Sequence, residues 1–572
     1  MPNWVQRESE KKPENKISQY SPVIYQILAN RGISSHKQIQ SFLKPSLKNL
    51  HNPEKLPHID KATKRMLEAI NNKEKILIFG DYDADGVVSV GLIYNFLKQL
   101  GLDVDTYIPS RFDEGYDISL KFVKSLDKQK KYNLLICVDC GTNSRQVIDF
   151  VEKGSSSFDV IVCDHHEPTE ESDHIQSDRY LIINPKLSPS KYPFRQLSGA
   201  GVTFKFIVNM LRRADTPVRN RFGPGYLTQL LDLVAISTVA DVMPLVDENR
   251  IMVKRGLQVM EKTVNRGLAV LLNEALGKKS NLNTYDIGFV IAPRLNSAGR
   301  LETATNSLDI LKNDCSGVES KVQSLEGFNR KRKKVQEEIL EQILGQKDIE
   351  KKIVEQKIFV DKSSHWNEGV LGIVASSLVK QFNVPVILFK EKGDKLKGSG
   401  RSIDHFNLYE ILSSLNHYFE KFGGHQLACG ITMHKDKYPA FSRDLVKLAS
   451  SLISEKQLQK SLKYDVEISL SQINGQLMSQ LILLEPYGPG NPKPVFRSKE
   501  CMIEDIRYLK QGKHVKLKVS QEGTPKEAIF FRISDRVKDT LSKKKKIDML
   551  YCLQENEWNG NKALQLVILD IF

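Results

Sequence analysis

Between Lys75 and Pro185, short β-branched and apolar runs alternate with longer stretches of helical periodicity. The runs are Ile76–Phe79, Val104–Ile108, Leu134–Val138, Val160–Cys163 and Leu181–Ile183. Such alternation predicts βαβ units, and with them a parallel sheet covered by helices on both faces. From Tyr226 to about Ala275 the apolar spacing is helical. The segment from Cys315 to Lys352 reads as one long polar helix, too charged to be buried all round and therefore a connector. A second α/β pattern runs from Lys357 to about Ser454, with strands near Ile358–Val360 and Val386–Phe389. Beyond it the pattern alternates residue by residue at Val466–Leu470, Val515–Val519 and Leu564–Leu569, which predicts a small barrel or sandwich.

These shifts divide the chain into a helical, polar segment over 1–50, a main α/β region over 51–314 and a connecting helix over 315–352. A smaller α/β region spans 353–458 and a β-rich region 459–572. No apolar run approaches the ~20 residues of a membrane-crossing helix, and the opening MPNWVQRESEKKPENK lacks the apolar core of a signal peptide. Seven scattered cysteines argue for a reducing compartment. The expected location is the cytoplasm.

Charge adds a direction. The 84 Lys and Arg residues exceed the 69 Asp and Glu, a formal net charge of +15, which favours a polyanionic partner such as nucleic acid. The basic runs Arg330–Lys334 and Lys543–Lys546 read equally well as solvated faces.

Candidate chemistry gathers where the parallel strands end. The first runs into GDYDADG (Gly80–Gly86), the third into VDCGT (Val138–Thr142) and the fourth into Asp164, His165 and His166. GDYDADG opens like an EF-hand, but its twelfth position counted from Asp81 is Leu92 rather than Glu, and a strand-like run precedes it. In open α/β sheets functional groups collect at the carboxyl ends of the strands, so Asp83, Asp85, Asp139, Asp164, His165 and His166 can converge. Helix capping explains Asp81 or Asp164 alone. It does not explain three acids within five residues beside a His-His pair. Oxygen-rich sites with one or two imidazoles suit Mn²⁺ or Mg²⁺ better than Zn²⁺. Two such ions bridged by a carboxylate suit phosphodiester hydrolysis. Cys137 and Cys140 form a lone CxxC, read here as packing. Asp241 is the lone charge in the apolar stretch Leu233–Leu245, where a buried acid must be paired or ligate something.

Together these motifs resemble the DHH phosphoesterases, and within them the single-strand-specific 5′→3′ DNA exonucleases. GVLGIVASSL (Gly369–Leu378), GSGRS (Gly398–Ser402) and FGGH (Phe422–His425) resemble the DHH-associated domain, and LEPYGPGNPKPVF (Leu484–Phe496) resembles the start of the exonucleases' OB fold. The resemblance implies a parallel-sheet DHH domain, a long helix, a smaller α/β DHH-associated domain and an OB-like barrel. It implies one ion held by Asp85, Asp139, His165 and Asp241, and a second held by Asp83 and a bridging Asp139. Some relatives carry a His four residues before Asp83, where this chain has Phe79. Asp81 and His166 would stand behind the ligands or face substrate, with His166 aiding the transition state. Arg111, Tyr116 and Arg300 match residues that hold the DNA end. Ser399 and Arg401, on a glycine-flanked turn, offer donors that fit a terminal 5′ phosphate, although the turn alone reads equally as surface. His425 is as readily structural as substrate-facing.

The expected substrate is single-stranded DNA with a 5′ end, cut to 5′-mononucleotides in DNA repair and recombination. A single-strand-binding protein and a RecQ-type helicase are the protein partners the resemblance implies. A phosphodiesterase for short oligonucleotides or cyclic dinucleotides, and a scaffold without catalysis, are the alternatives. The C-terminal β-rich region counts against the first, and retention of Asp83, Asp85, Asp139, His165 and Asp241 against the second.

Overall fold

A computed structural model describes residues 3–8, 19–115, 117–175, 177–558 and 561–572. The main region is built on a five-stranded parallel sheet. Its order is Val104–Tyr107, Ile76–Gly80, Leu134–Val138, Asp159–Cys163, Tyr180–Ile183. The apolar runs are continuous rather than alternating because helices cover both faces. Ile76, Ile78, Leu134 and Ile136 pack on one side, with the helices Ala84–Gln99 and Gly199–Arg213. Leu77, Phe79, Leu135 and Cys137 pack on the other, with Leu120–Gln129 and Arg145–Glu152. The strand order reverses between the Ile76 and Leu134 strands, and that switch point opens a crevice at their carboxyl ends.

Val318–Leu344 is a single helix. Val318, Val322 and Leu325 at its start belong to the main core, whereas Ile339 and Ile343 near its end belong to the core of the smaller α/β region. In the basic run it carries, Arg330, Lys331, Lys333 and Lys334 are exposed as a solvated face requires, but Arg332 is buried. The smaller region has a mixed sheet ordered Phe419–His425, Ala428–His434, Lys395–Arg401, Val386–Lys392, Phe359–Ser363.

At the C-terminus Phe496–Leu509, His514–Gln521, Thr524–Phe531, Asn561–Ile571 and Lys546–Trp558 pair in turn, and the last pairs back with the first to close a barrel. Val466–Leu470, expected as a full strand, forms a ladder only at Val466–Glu467 before Leu470 starts a 3₁₀ turn. The opening segment also departs from expectation. Pro22–Ala29 and His36–Leu43 are helices, but Asn3–Gln6 is a strand paired in parallel with Ser461–Tyr464. Ile24, Ile27, Leu28, Ile39 and Leu43 are buried with the barrel's apolar residues, so the segment is a brace with an apolar face and not a polar appendage.

One buried cation joins this brace and the barrel to the main region. Arg250, on the helix Asp247–Met260, donates to the carbonyls of Phe42 (3.0 Å), Leu483 (2.9 Å), Leu484 (2.9 Å), Glu485 (2.9 Å) and Pro486 (3.3 Å). Its guanidinium lies 3.9 Å from the Phe42 ring centroid. Beside it, Leu245 N–H donates to Pro489 O at 2.7 Å. Among the described residues no helix is long and apolar enough to cross a membrane.

Candidate active site

Three of the parallel strands end in register. Gly80 pairs with Val138, and Val138 with Cys163, so Asp81, Asp139 and Asp164 leave the sheet side by side. After Asp81 the chain turns into the helix Ala84–Gln99. Its cap is Asp83, whose Oδ1 accepts the N–H groups of Asp85 (2.9 Å) and Gly86 (3.2 Å). Capping therefore falls to Asp83, not to Asp81 or Asp164, because the helix begins only at Ala84. Gly86 is required by packing: a Cβ there would stand 2.4 Å from the Asp81 carbonyl oxygen.

Asp164 orients its neighbours instead. It accepts from the backbone N–H of Thr142 (3.1 Å), His165 (2.7 Å) and His166 (3.2 Å), and from His166 Nδ1 at 2.7 Å. Asp85 is held at the start of the helix Gly199–Arg213. Its oxygens accept the N–H of Gly199 (2.8 Å) and Ala200 (3.0 Å), and Ser237 Oγ donates to it at 2.6 Å. Helix N-termini favour negative charge at that position. Asp241 was expected inside an apolar helix. It lies at that helix's end, because the helix Leu231–Ala240 stops before it and Val242 follows with φ of +58°. Asp232 is a second acid within the helix.

These loops bring the side chains together around one imidazole. His165 Nε2 is 3.2 Å from Asp139 Oδ1, 3.5 Å from Asp241 Oδ2 and 3.7 Å from Asp85 Oδ2. Neighbouring ligands of an octahedral ion with bonds of ~2.1 Å stand ~3 Å apart, so the spacing fits a shared cation. Ligand atoms lie within 4.8 Å of one another in three sets: Asp85, His165 and Asp241; Asp139, His165 and His166; and Asp81, Asp83 and Asp139. The last set contains Asp81, which the sequence reading placed outside the ligands. Phe79 turns to the opposite face, stacked on Tyr107 at 5.8 Å.

Electrostatics also calls for a cation. Asp81 Oδ1, Asp139 Oδ1, Asp241 Oδ2 and His165 Nδ1 are buried with no hydrogen-bond partner. Burial, then the charges of Asp85 and Asp83, pushes Asp241 up to about 8 and holds Asp139 far above the carboxylate range. Burial and Asp83 raise Asp81 likewise. Burial pushes His165 down to about 4, leaving a neutral imidazole fit to ligate a metal. Burial opposes charge on His166 as well, but contact with Asp164 lifts it to about 9. The donors are carboxylate and imidazole, which suits Mn²⁺ or Mg²⁺. Cys137 and Cys140 are buried in the opposite face's packing.

Beside the carboxylates stands a group of arginines. Arg111 lies 5.2 Å from the Tyr82 ring. Arg300, on the helix Ala292–Leu301, donates to Gly369 O at 3.1 Å. Arg401 donates to Ser399 Oγ (3.1 Å) and Gly400 O (2.7 Å), against Gly372 of the helix Glu368–Phe382. Burial, then the proximity of Arg111, Arg332 and Arg401, pushes Arg300 down to about 9, even though Asp83 draws it up. Among the described residues none of these arginines forms an ion pair, an arrangement that awaits an anion.

His425 is exposed and in register with Ala428, itself paired with Arg401. Tyr116 lies outside the described residues. Sequence reasoning missed Tyr82, the Gly199–Ala200 N–H groups and Ser237. It also missed Asn296, which accepts the Ala84 N–H at 2.9 Å, and the buried pair Asn329 and Arg332, bonded at 2.7 Å. Asn296 had a readable signal, since it stands one helical turn before Arg300 in the same motif.

Family models match along the chain: the DHH family N-terminal domain over 75–238, the DHHA1 domain over 355–453 and the RecJ OB domain over 464–570. The chain is 32% identical to the single-stranded-DNA-specific exonuclease RecJ of Bacillus subtilis, over 99% of this chain and 70% of that protein. It is 32% identical to RecJ of Haemophilus influenzae, over 97% of this chain and 96% of that protein. Among solved structures, RecJ of Thermus thermophilus in complex with Mn²⁺ superposes with a TM-score of 0.81 at 27% identity, over 97% of this chain and 76% of that one.

Proposed function

The chain belongs to the RecJ family of single-stranded-DNA-specific exonucleases, and from that membership we infer that it is a metal-dependent exonuclease acting on single-stranded DNA. The observation that carries the reading is that Asp85, Asp139 and Asp241 converge on His165, while Asp139 also belongs to a second ligand set with Asp81 and Asp83. Asp85, Asp139, His165 and Asp241 would hold one ion, and Asp83 and the bridging Asp139 a second, joined by Asp81. Bound there, Mn²⁺ or Mg²⁺ supplies a Lewis acid for the scissile phosphate and lowers the pKa of the attacking water.

The chain's own groups do the rest. Asp164 takes His166 Nδ1, so Nε2–H of the charged ring is the donor that meets negative charge building on the phosphate. Arg111, Arg300, Ser399 and Arg401 clasp a terminal 5′ phosphate, with His425 at the rim. A terminal phosphate held beside the carboxylate cluster would give 5′→3′ polarity and release of 5′-mononucleotides. In this reading residues 51–314 hydrolyse, 315–352 connect, 353–458 hold the terminus, 459–572 guide the strand and 1–50 brace the barrel. The setting is cytoplasmic DNA repair and recombination, beside a single-strand-binding protein and a RecQ-type helicase.

The test is digestion of single strands labelled at either end, by wild type and Asp139→Ala, with Mn²⁺ or EDTA. The 5′ label leaves first as mononucleotide, and both EDTA and the substitution stop it. Digestion that survives EDTA or Asp139→Ala sinks the metal mechanism, and early release of the 3′ label sinks the polarity. Cleavage of dinucleotides alone points to the oligonucleotide phosphodiesterase.

A further inference from the structure

Tyr285 and Phe289 are 63% and 64% exposed, the two most exposed of the Phe and Tyr side chains among the described residues. Their rings stack on each other, centroids 4.8 Å apart and planes at 24°. Most aromatic side chains of this size stabilise a fold by leaving water. Here the turn that carries them buries its other face. Ile287 and Ile291 are fully buried in the main core. Asp286 is buried and fixed by Lys279 Nζ (2.6 Å) and the Asn283 N–H (2.9 Å). The segment Asp286–Ile291 is a π-helical turn, a local geometry with wider spacing than an α-helix. The rings are thus held outward on a rigid base.

Their place in the fold says what they face. Gly288, between them, lies against Val239: a Cβ there would stand 3.5 Å from Val239 Cγ1. Val239 is two residues before Asp241, and Val242 beyond it is 65% exposed. Thr284, next to Tyr285, donates its hydroxyl to Tyr487 O at 2.6 Å, in the loop that leads into the barrel. On the other side the turn continues directly into Ala292–Leu301, the helix of Asn296 and Arg300. The pair therefore stands at the junction of the carboxylate cluster, the arginine group and the barrel's leading loop.

We propose that Tyr285 and Phe289 form a stacking platform for the bases of the single strand on the 3′ side of the scissile bond, where it passes from the barrel to the carboxylate cluster. The proposal rests on the exonuclease reading above. An exonuclease that removes every nucleotide in turn needs a hold that all four bases satisfy. Aromatic faces supply one, because every base has a π-face, whereas hydrogen-bond donors would select sequence. The arginines hold phosphate, the rings hold base, and neither reads sequence.

The experiment places 2-aminopurine at successive positions from the 5′ end of an oligonucleotide and measures its fluorescence on binding in EDTA, where no cleavage intervenes. Wild type quenches the probe at a short window of positions. The double variant Tyr285→Ala/Phe289→Ala loses that quenching, and so does Tyr285→Leu/Phe289→Leu, which keeps apolar bulk but removes the π-faces. Phe289→Trp retains the quenching, and its own indole emission falls on binding. With Mn²⁺, the double variants raise KM for long strands about fivefold to a hundredfold, and kcat falls less. Circular dichroism and the thermal midpoint verify the fold of each variant. Unchanged quenching and unchanged KM in a folded double variant overturn the platform and leave the rings as a protein-docking patch. Wild type that quenches the probe but leaves the strand uncut with Mn²⁺ overturns the exonuclease reading instead and keeps the platform.

Discussion

Gly199 and Asp139 are packed so closely that a Cβ on Gly199 would stand 2.8 Å from both Cβ and Oδ1 of Asp139. The contact follows from Asp85: its carboxylate draws the N–H groups of Gly199 and Ala200 into the site, and the helix start can approach only without a side chain. Gly199→Ala is expected to leave the fold intact, since alanine favours helix, while it displaces the Asp139 carboxylate, which belongs to two of the three ligand sets. A misplacement of that kind costs on the order of a hundredfold in rate. Steady-state hydrolysis of a 5′-labelled strand measures it. Wild-type kcat in the variant would show that Asp139 does not need its observed position.

Metal binding is expected to depend on pH with a defined sign. Burial, followed by Asp85 and Asp83, pushes Asp241 up to about 8, and Asp139 and Asp81 are raised for similar reasons. Without metal Asp241 is mostly protonated at pH 7, and a cation must displace that proton. Affinity for Mn²⁺ therefore rises with pH and levels off above about 8. Titration calorimetry in buffers of different ionisation enthalpy reports about one or more protons released per ion pair at pH 7. Proton-neutral binding there would contradict the shared charge of the cluster.

How much of this was written in the sequence depends on distance along the chain. The five strands of the main sheet were legible because four are short apolar runs and the edge strand, Val104–Tyr107, is a β-prone one, and the acids that close three of them marked the crevice without any contact information. The Asn3–Gln6 strand was not legible, because its partner is Ser461–Tyr464 and so brief a polar strand gains its identity from pairing alone. The same holds within the site. Asp83 and Asp85 could be read as functional, but the sharing of work between them could not. That Asp83 caps a helix while Asp85 sits on another helix's N-terminus depends on where Gly199 comes to rest. Arg332 sat in a run that looked like a solvated face, and helical phase turns it inward, bonded to Asn329 and Gln336 of its own helix.

Asp232 offers a test of stability apart from the metal cluster. Burial raises its carboxyl from 3.8 to about 6, although Thr263 Oγ1 and the Leu233 N–H favour the charged form. A carboxyl raised in the folded state stays protonated there after the unfolded chain has lost its proton. Stability is thus highest below about 4, falls as pH rises to about 6 and is level above. The loss amounts to at most about 3 kcal/mol. Asp232→Asn removes the charge and keeps Oδ1 as acceptor for the Leu233 N–H, while its Nδ2 takes the place of Oδ2 and donates to the Thr263 hydroxyl oxygen once that hydroxyl has turned. The thermal midpoint of the variant should lie nearest to wild type at about pH 4 and gain on it steadily, exceeding it by several degrees above pH 6.5. A constant difference across that range would refute the assignment.

Arg250 predicts how the regions hold together. Its guanidinium is the shared donor for the carbonyls of Phe42, Leu483, Leu484, Glu485 and Pro486. Arg250→Met fills similar volume but strips the donors, and only Leu484 and Pro486 keep a partner, through Asn491 Nδ2. Buried carbonyls left unpaired destabilise by about 1–3 kcal/mol each when they cannot reach water. The loop has a cheaper response, which is to leave the main region and hydrate. Amide exchange should accelerate across Leu483–Asn491 and at Leu245, whose N–H donates to Pro489, while the parallel strands keep their protection. Leu245 is four residues beyond Asp241, so the same variant should bind Mn²⁺ more weakly although it alters no ligand. If exchange at Leu245 quickens and metal affinity holds, the Asp241 turn is anchored by the main region alone.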